Sequence, residues 1–227
     1  MGNKITLYHG SNMIVRNPEF GKGNSRNDYG LGFYCTKDPD LAKEWACGSR
    51  AGGYSNIYNL EISALEILDL SSEAYGILNW LAALIDNRTF LISNPIAAEA
   101  KEYLTAWFLP NVNEVDVVVG NRADDSYFTF ALDFLNNTIS VRQLKRAMAL
   151  GSLGKQFVLK SRKAFDQIQF VRSEPADGDI YFEKRRKRDA EARKEYLQNE
   201  RNMANMNDDI YMIDILRQEM KQNDARL

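Results

Sequence analysis

The chain has 227 residues, 44% hydrophobic and 11% aromatic, enough apolar material for one good-sized core, which excludes a disordered or fibrous polypeptide. Lys and Arg number 29 against 31 Asp and Glu, a net charge of -2, so the molecule as a whole is not drawn to nucleic acid or anionic lipid and any basic surface is local. Two cysteines cannot staple a fold of this size, and neither a leader-like N-terminus nor an apolar run near the roughly 20 residues of a membrane span is present, so a soluble, cytoplasmic protein with no membrane partner is expected.

Lys4 to His9 alternates as a strand does, and Gly10-Ser11-Asn12 ends it, which puts His9 at a strand end. Gly21 to Gly32 reads as a long loop of Gly, Asn, Ser and Asp, of a length that is usually functional, leading into a short strand through Phe33-Tyr34-Cys35. Asp38-Pro39 starts a helix whose apolar face carries Leu41, Ala42, Trp45 and Ala46. Strands follow at Ile57 to Ile62 and Glu66 to Leu70, then two helices between Ser72 and Pro110 as a helical layer or insertion.

Val115 to Val119 has the β-branched, non-alternating pattern of a strand buried on both faces. Asp124 or Asp125 caps the next helix, Ser140 starts another, and Gln156 to Leu159 and Gln167 to Val171 are closing strands with a turn near Lys163. Beyond Pro175 the composition changes. The run Lys184 to Arg188 and the acids after it read as a solvated helix, with a polyanion site left open for the basic run. A final apolar stripe, Ile210, Tyr211, Ile213, Ile215, Leu216 and Met220, either folds back on the domain or receives a partner. The expected division is a domain over 1–175 and a charged helical tail over 176–227.

The single histidine excludes a histidine pair or a multi-histidine metal site, so no metal is expected. Tyr8-His9-Gly10-Ser11 alone is a weak signal. Followed by Tyr29-Gly30-Leu31-Gly32-Phe33-Tyr34 and by Trp45, 11 residues after Tyr34, it resembles the NAD-binding core of the diphtheria-toxin and poly(ADP-ribose) polymerase class of ADP-ribosyltransferases. The closest resemblance is to bacterial domains of the DUF3990 type, from Leu7 to about Glu174. It rests on Leu7-Tyr8-His9-Gly10-Ser11, Asp28-Tyr29-Gly30, Val119-Gly120-Asn121-Arg122-Ala123-Asp124-Asp125 and Gln156-Phe157-Val158-Leu159, in that order.

The resemblance implies an α+β, split two-sheet ADP-ribosyltransferase-like fold with NAD as co-substrate. It gives His9 a ribose hydroxyl, Gly10 a backbone approach to the nicotinamide carboxamide with Ser11 assisting, and Tyr34 and Trp45 the two faces of the nicotinamide ring. Gln156 stands where active members of the class carry a glutamate that stabilises the cation formed as nicotinamide leaves. A glutamine there is compatible with slower or mono-transfer chemistry; Asp124 and Asp125 are candidates for a compensating carboxylate, and Gln156→Glu is expected to preserve or raise nicotinamide release. Arg26 and Arg16 are candidates for the pyrophosphate.

The function expected is mono-ADP-ribosylation of an unidentified acceptor by a toxin-like or defence effector, with a small cognate regulatory protein received through the tail. A catalytically silent NAD- or nucleotide-binding module is the alternative. An RNA 2'-phosphotransferase-like use of the fold is weaker, for want of further basic residues in the cleft.

Overall fold

A computed structural model of the protein describes residues 3–89, 92, 94–123, 125–150, 154–200, 203 and 206–227, the side chains of 125–127, 199 and 200 excepted. Among the described residues seven strands and eight α-helices form a mixed α+β structure with two sheets.

The first sheet has the order β1 (Lys4–Ser11), β3 (Gly53–Glu61), β7 (Ile168–Ala176), all antiparallel. The second has the order β2 (Phe33–Cys35), β6 (Lys155–Leu159), β5 (Val117–Asn121), β4 (Ile67–Asp69), with only β4 and β5 parallel. The sheets touch through one backbone bridge, in which Tyr8 and Thr36 exchange both hydrogen bonds at 2.8 and 2.9 Å. Leu7, Leu60, Val117, Val119, Phe157 and Leu159 fill the space between them. Val117 to Val119 are buried, as a central strand with cover on both faces requires.

A larger core lies on the helical side of the second sheet. Helices α2 (Ile77–Asn87) and α3 (Pro95–Trp107) form the expected helical layer, and α2 is buried from Leu78 to Ile85, so it is a central helix rather than an amphipathic surface one. Helices α4 (Asp125–Leu135) and α5 (Val141–Ala147) complete the layer, the latter opened by a reciprocal cap between Ser140 and Gln143.

The turn expected near Lys163 is instead a short helix, α6 (Arg162–Gln167), because Ser161 caps it by accepting from the Ala164 amide. Strand β7 also runs past Val171 to Ala176, and Pro175 lies in it opposite Tyr54. A proline is tolerated there because β7 is an edge strand. The anticipated domain boundary thus falls inside the last strand of the first sheet.

Helix α7 (Gly178–Glu195) follows directly and lies along α1 (Pro39–Ala46). Arg188 pairs with the buried Glu44, while Lys184 Nζ and Tyr181 Oη reach Asp40 at 3.4 and 3.3 Å. Burial pushes the Glu44 carboxyl up, and Arg188 opposes the shift. Within the basic run Arg186 pairs with Glu183 and Lys187 with Glu191, so this face is largely matched by carboxylates of its own protein. The helix ends in a π-helical turn, Tyr196–Glu200, where Tyr196 is buried against Phe130 and donates to Asp133 at 2.6 Å.

Of the two outcomes open for the terminal stripe, the chain adopts folding back. Helix α8 (Met212–Arg217) buries Met212 and Ile215, and Met220 follows, all in the helical core. No open apolar face is left at those three side chains for a partner. Arg142 clamps the approach to α8 through two 2.8 Å bonds to Asp209, which hold that carboxyl down at about 2. A depressed folded pKa means that the pair stabilises fully above the unfolded value of about 4 and loses its contribution as pH falls toward about 2. Asp209→Asn is therefore expected to melt below the wild type at pH 7 and to converge with it in strong acid. A gap between the two melting curves that stays constant with pH would contradict this.

Candidate functional site at the seam of the two sheets

Each element delivers one part of the site to the place where β1 leaves the first sheet and β2 enters the second. The Asp38 side chain caps α1 by accepting from the Asp40 and Leu41 amides, Pro39 starts the helix, and Leu41, Ala42 and Ala46 are buried, which leaves Trp45 on the side of a cavity. That cavity, of about 170 Å³, has Tyr34, Trp45, Asp28, Arg88, Arg122 and Gln156 among its walls. A second of about 310 Å³ is walled by His9, Val15, Pro18, Lys22, Phe33 and Tyr34, and the two have Asn27 and Tyr34 in common.

His9 has a defined tautomer. Its Nδ1 lies 2.7 Å from the Tyr34 carbonyl oxygen, which only accepts, so Nδ1 carries the proton and Nε2 is an acceptor. Burial lowers the imidazole pKa, against the carbonyl bond that raises it, and the ring lies on Phe33 at 4.3 Å. Tyr34 is fixed from both sides: its hydroxyl donates to the Gly30 carbonyl at 2.6 Å and accepts from the Tyr29 amide at 3.1 Å. Burial pushes this phenol up, so it stays protonated at neutral pH.

The loop before β2 is pinned where it meets the cavity. Asp28, 3% exposed, accepts from Arg88 Nε and Nη2 at 2.8 and 2.6 Å, from the Ala123 amide at 2.9 Å and from Gln156 Nε2 at 2.7 Å. The Tyr29 hydroxyl donates to the Asn121 carbonyl at 2.6 Å, and Lys160 donates to the Tyr29 carbonyl at 2.6 Å. Gly30 has φ +73°, and a Cβ there would also meet Asn87 Oδ1 at 2.5 Å, so glycine is required. The opposite wall is latched as well: Asn56, fully buried, donates to the His9 and Met13 carbonyls and accepts from the Val15 amide, and Tyr58 donates to the Val15 carbonyl.

The structure thus brings His9, Tyr34, Trp45 and Gln156 together around adjoining cavities. Other expected residues sit elsewhere. Gly10 borders α1, where an added Cβ would lie 2.0 Å from the Ala42 carbonyl oxygen, so its missing side chain serves helix packing rather than an open approach for a ligand. The Ser11 hydroxyl accepts from the Met13 amide, and Ser11 walls neither cavity. Arg26 is exposed on the loop and Arg16 lies over the Phe170 ring, and neither is among the walls of these cavities. Asp124 and the side chain of Asp125 lie outside the described residues.

Sequence reasoning missed the guanidinium groups that do line the first cavity, Arg88 at the end of α2 and Arg122 just after β5. It also gave no role to Asp28, although the aspartate lies inside the Asp28-Tyr29-Gly30 motif. Arg122 lies over the Trp45 indole at 4.5 Å, and among the described residues the buried indole Nε1 meets no hydrogen-bond partner. The cavity therefore offers aromatic faces, two amides (Asn27 and Gln156), one carboxylate and two guanidinium groups, a set suited to a planar ring joined to an anionic group. Among the described residues no group of three His, Cys, Asp or Glu is placed to hold a metal, and no helix is long and apolar enough to cross a membrane.

The family model described as DUF3990, a protein of unknown function, matches residues 5–170. Searches of curated proteins and of solved structures return no match. The matched segment spans most of the chain and carries every residue of the two cavities, and the chain belongs to the DUF3990 family.

Proposed function

We propose that this protein is an NAD-consuming mono-ADP-ribosyltransferase with the split two-sheet fold of that enzyme class. The observation that carries the reading is the meeting of Tyr34, Trp45 and Gln156 in one cavity, with His9 in the adjoining one and Tyr34 common to both. NAD would supply the ADP-ribosyl group. His9 Nε2 accepts from a ribose hydroxyl, Tyr34 and Trp45 provide the aromatic walls for the nicotinamide ring, and Gln156 orients a second ribose hydroxyl beside the breaking bond. Arg122, which walls the cavity, takes the phosphate-binding role expected of Arg26, which does not. In the transfer the glycosidic C–N bond breaks with its electron pair leaving on nicotinamide. The acceptor's nucleophile then bonds to the ribose carbon and loses its proton.

His9→Ala and Trp45→Ala are each expected to weaken NAD binding by about 1–3 kcal/mol in calorimetry, the size of one buried hydrogen bond or one stacking face. Unchanged affinity in both would remove the site. Purified wild type incubated with NAD should release nicotinamide, and a host lysate should gain the mass of ADP-ribose on an acceptor. A binding-only module is the second reading, favoured by Arg122 covering the Trp45 indole where a ring would stack. It forecasts NAD affinity with no nicotinamide released.

A further inference from the structure

The buried contact between Asp28 and Gln156 assigns a role to a residue far from the late strand. We propose that Asp28 is the positioning residue of this site, fixing the Gln156 amide with its oxygen toward the ligand and polarising it; this rests on the transferase reading above. A carboxylate only accepts hydrogen bonds, so the 2.7 Å contact to Asp28 Oδ2 must be made by Gln156 Nε2. The amide is thereby locked in one of its two orientations. Among the described residues no donor meets the remaining Oε1, which is left as an acceptor on a residue that walls the cavity.

Asp28 is held as tightly as it holds. Its other contacts come from the Arg88 guanidinium, through both Nε and Nη2, and from the Ala123 amide. The neighbouring backbone is keyed to the same place. Gln156 lies opposite Gly120 in the sheet, and the space a Cβ at Gly120 would take is filled by the hydroxyl of Tyr29, 2.1 Å from that Cβ. Loop, β5 and β6 are therefore fitted around the Asp28–Gln156 pair.

The pair also explains why a glutamine stands at 156. A glutamate there would bring two carboxylates within hydrogen-bond distance in a buried site, where both cannot ionise. The expectation that Gln156→Glu preserves or raises the reaction rate is thereby reversed: the change sets a charge against Asp28 rather than adding one to an empty position. Moving the charge instead of adding it, in Asp28→Asn with Gln156→Glu, keeps one carboxylate, one amide and an acceptor for Arg88.

The experiment compares the wild type, both single variants and the double variant in two measurements: melting temperature at pH 7 and pH 4, and kcat and KM for nicotinamide release from NAD. Gln156→Glu should melt below the wild type at pH 7 and recover at pH 4, where the facing carboxylates can share a proton. Asp28→Asn should lower kcat about 100-fold with KM changed less than about threefold, the signature of lost preorganisation at the reacting centre. The double variant should regain most of that kcat and lose the pH dependence of its melt. A wild-type melt for Gln156→Glu at pH 7, or a double variant no better than Asp28→Asn, overturns the inference. If Asp28→Asn does not fold, the melts of Gln156→Glu and of the double variant decide it alone. No nicotinamide release by the wild type overturns the transferase reading and the reaction role of Asp28 with it, whereas release without rescue overturns the inference alone.

Discussion

Truncation after Asn207 should lower the melting temperature of the isolated protein by more than about 10 °C and leave its oligomeric state unchanged. The segment removed buries Met212, Ile215 and Met220, each 2% exposed or less, in the helical core. Full burial contributes about 1.5–3 kcal/mol per such side chain, and three of them approach the 5–15 kcal/mol net stability typical of a domain, so the loss is large even after discounting for a compact unfolded state. Polar ties would go too. The Val141 amide donates to the Ile210 carbonyl at the start of α5, the Ile213 amide donates to Asn137, and Tyr103 donates to the Met220 carbonyl. Thermal melts alongside light scattering give the answer; a melt unchanged by truncation, or a wild type that is an oligomer dispersed by it, would contradict this account of the tail.

The second large effect is expected at Gly10. A Cβ there would lie 2.0 Å from the Ala42 carbonyl oxygen, 2.7 Å from the Ala46 amide nitrogen and 2.8 Å from Trp45 Cβ. These are backbone and near-backbone atoms of α1, so no side chain can rotate away and the helix itself must shift. Gly10→Ala should therefore cost about 3 kcal/mol or more, at the upper end of overpacking effects, and should displace the Trp45 wall enough to abolish the NAD binding proposed above in a variant that still folds. Gly48→Ala is the control, since a Cβ at Gly48 meets nothing within 4 Å among the described residues, and its effect should stay within about 0.5 kcal/mol. Denaturant midpoints of the two variants test the contrast, and similar midpoints would show that α1 is looser against β1 than the structure has it.

Elements with a local cause were legible in the sequence. Asp38-Pro39 starts α1, Ser140 starts α5, and the β-branched run at Val117 to Val119 is a buried strand. The parts that were not legible have distant causes. Arg88 and Gln156 lie 60 and 128 positions from Asp28, so nothing in the polar loop around Asp28 marks it as the hub of a buried network. Asp124 and Asp125 adjoin a buried strand in sequence and Arg26 and Arg16 offer a guanidinium suited to phosphate, whereas the guanidinium groups at the cavity, Arg88 and Arg122, arrive from helix and strand ends. The terminal stripe is legible except at Met212 and Ile213. Ile215 and Met220 are buried as expected and Leu216 packs partly buried against the same core, while Met212, outside the expected stripe, is fully buried and Ile213 is not, because the phase of α8 is set by docking on the helical layer.

The latch of Asn56 and Tyr58 on the segment between Met13 and Val15 bears on the entropy of recognition. Fixing the backbone of one residue costs about 1–2 kcal/mol at room temperature, so a loop of several residues that ordered only on contact with its ligand would consume much of the interaction energy. Here the central strand of the first sheet holds that wall through hydrogen bonds made during folding. Whatever molecule enters beside His9 meets a surface already shaped, and its association needs no coil-to-ordered transition of this segment.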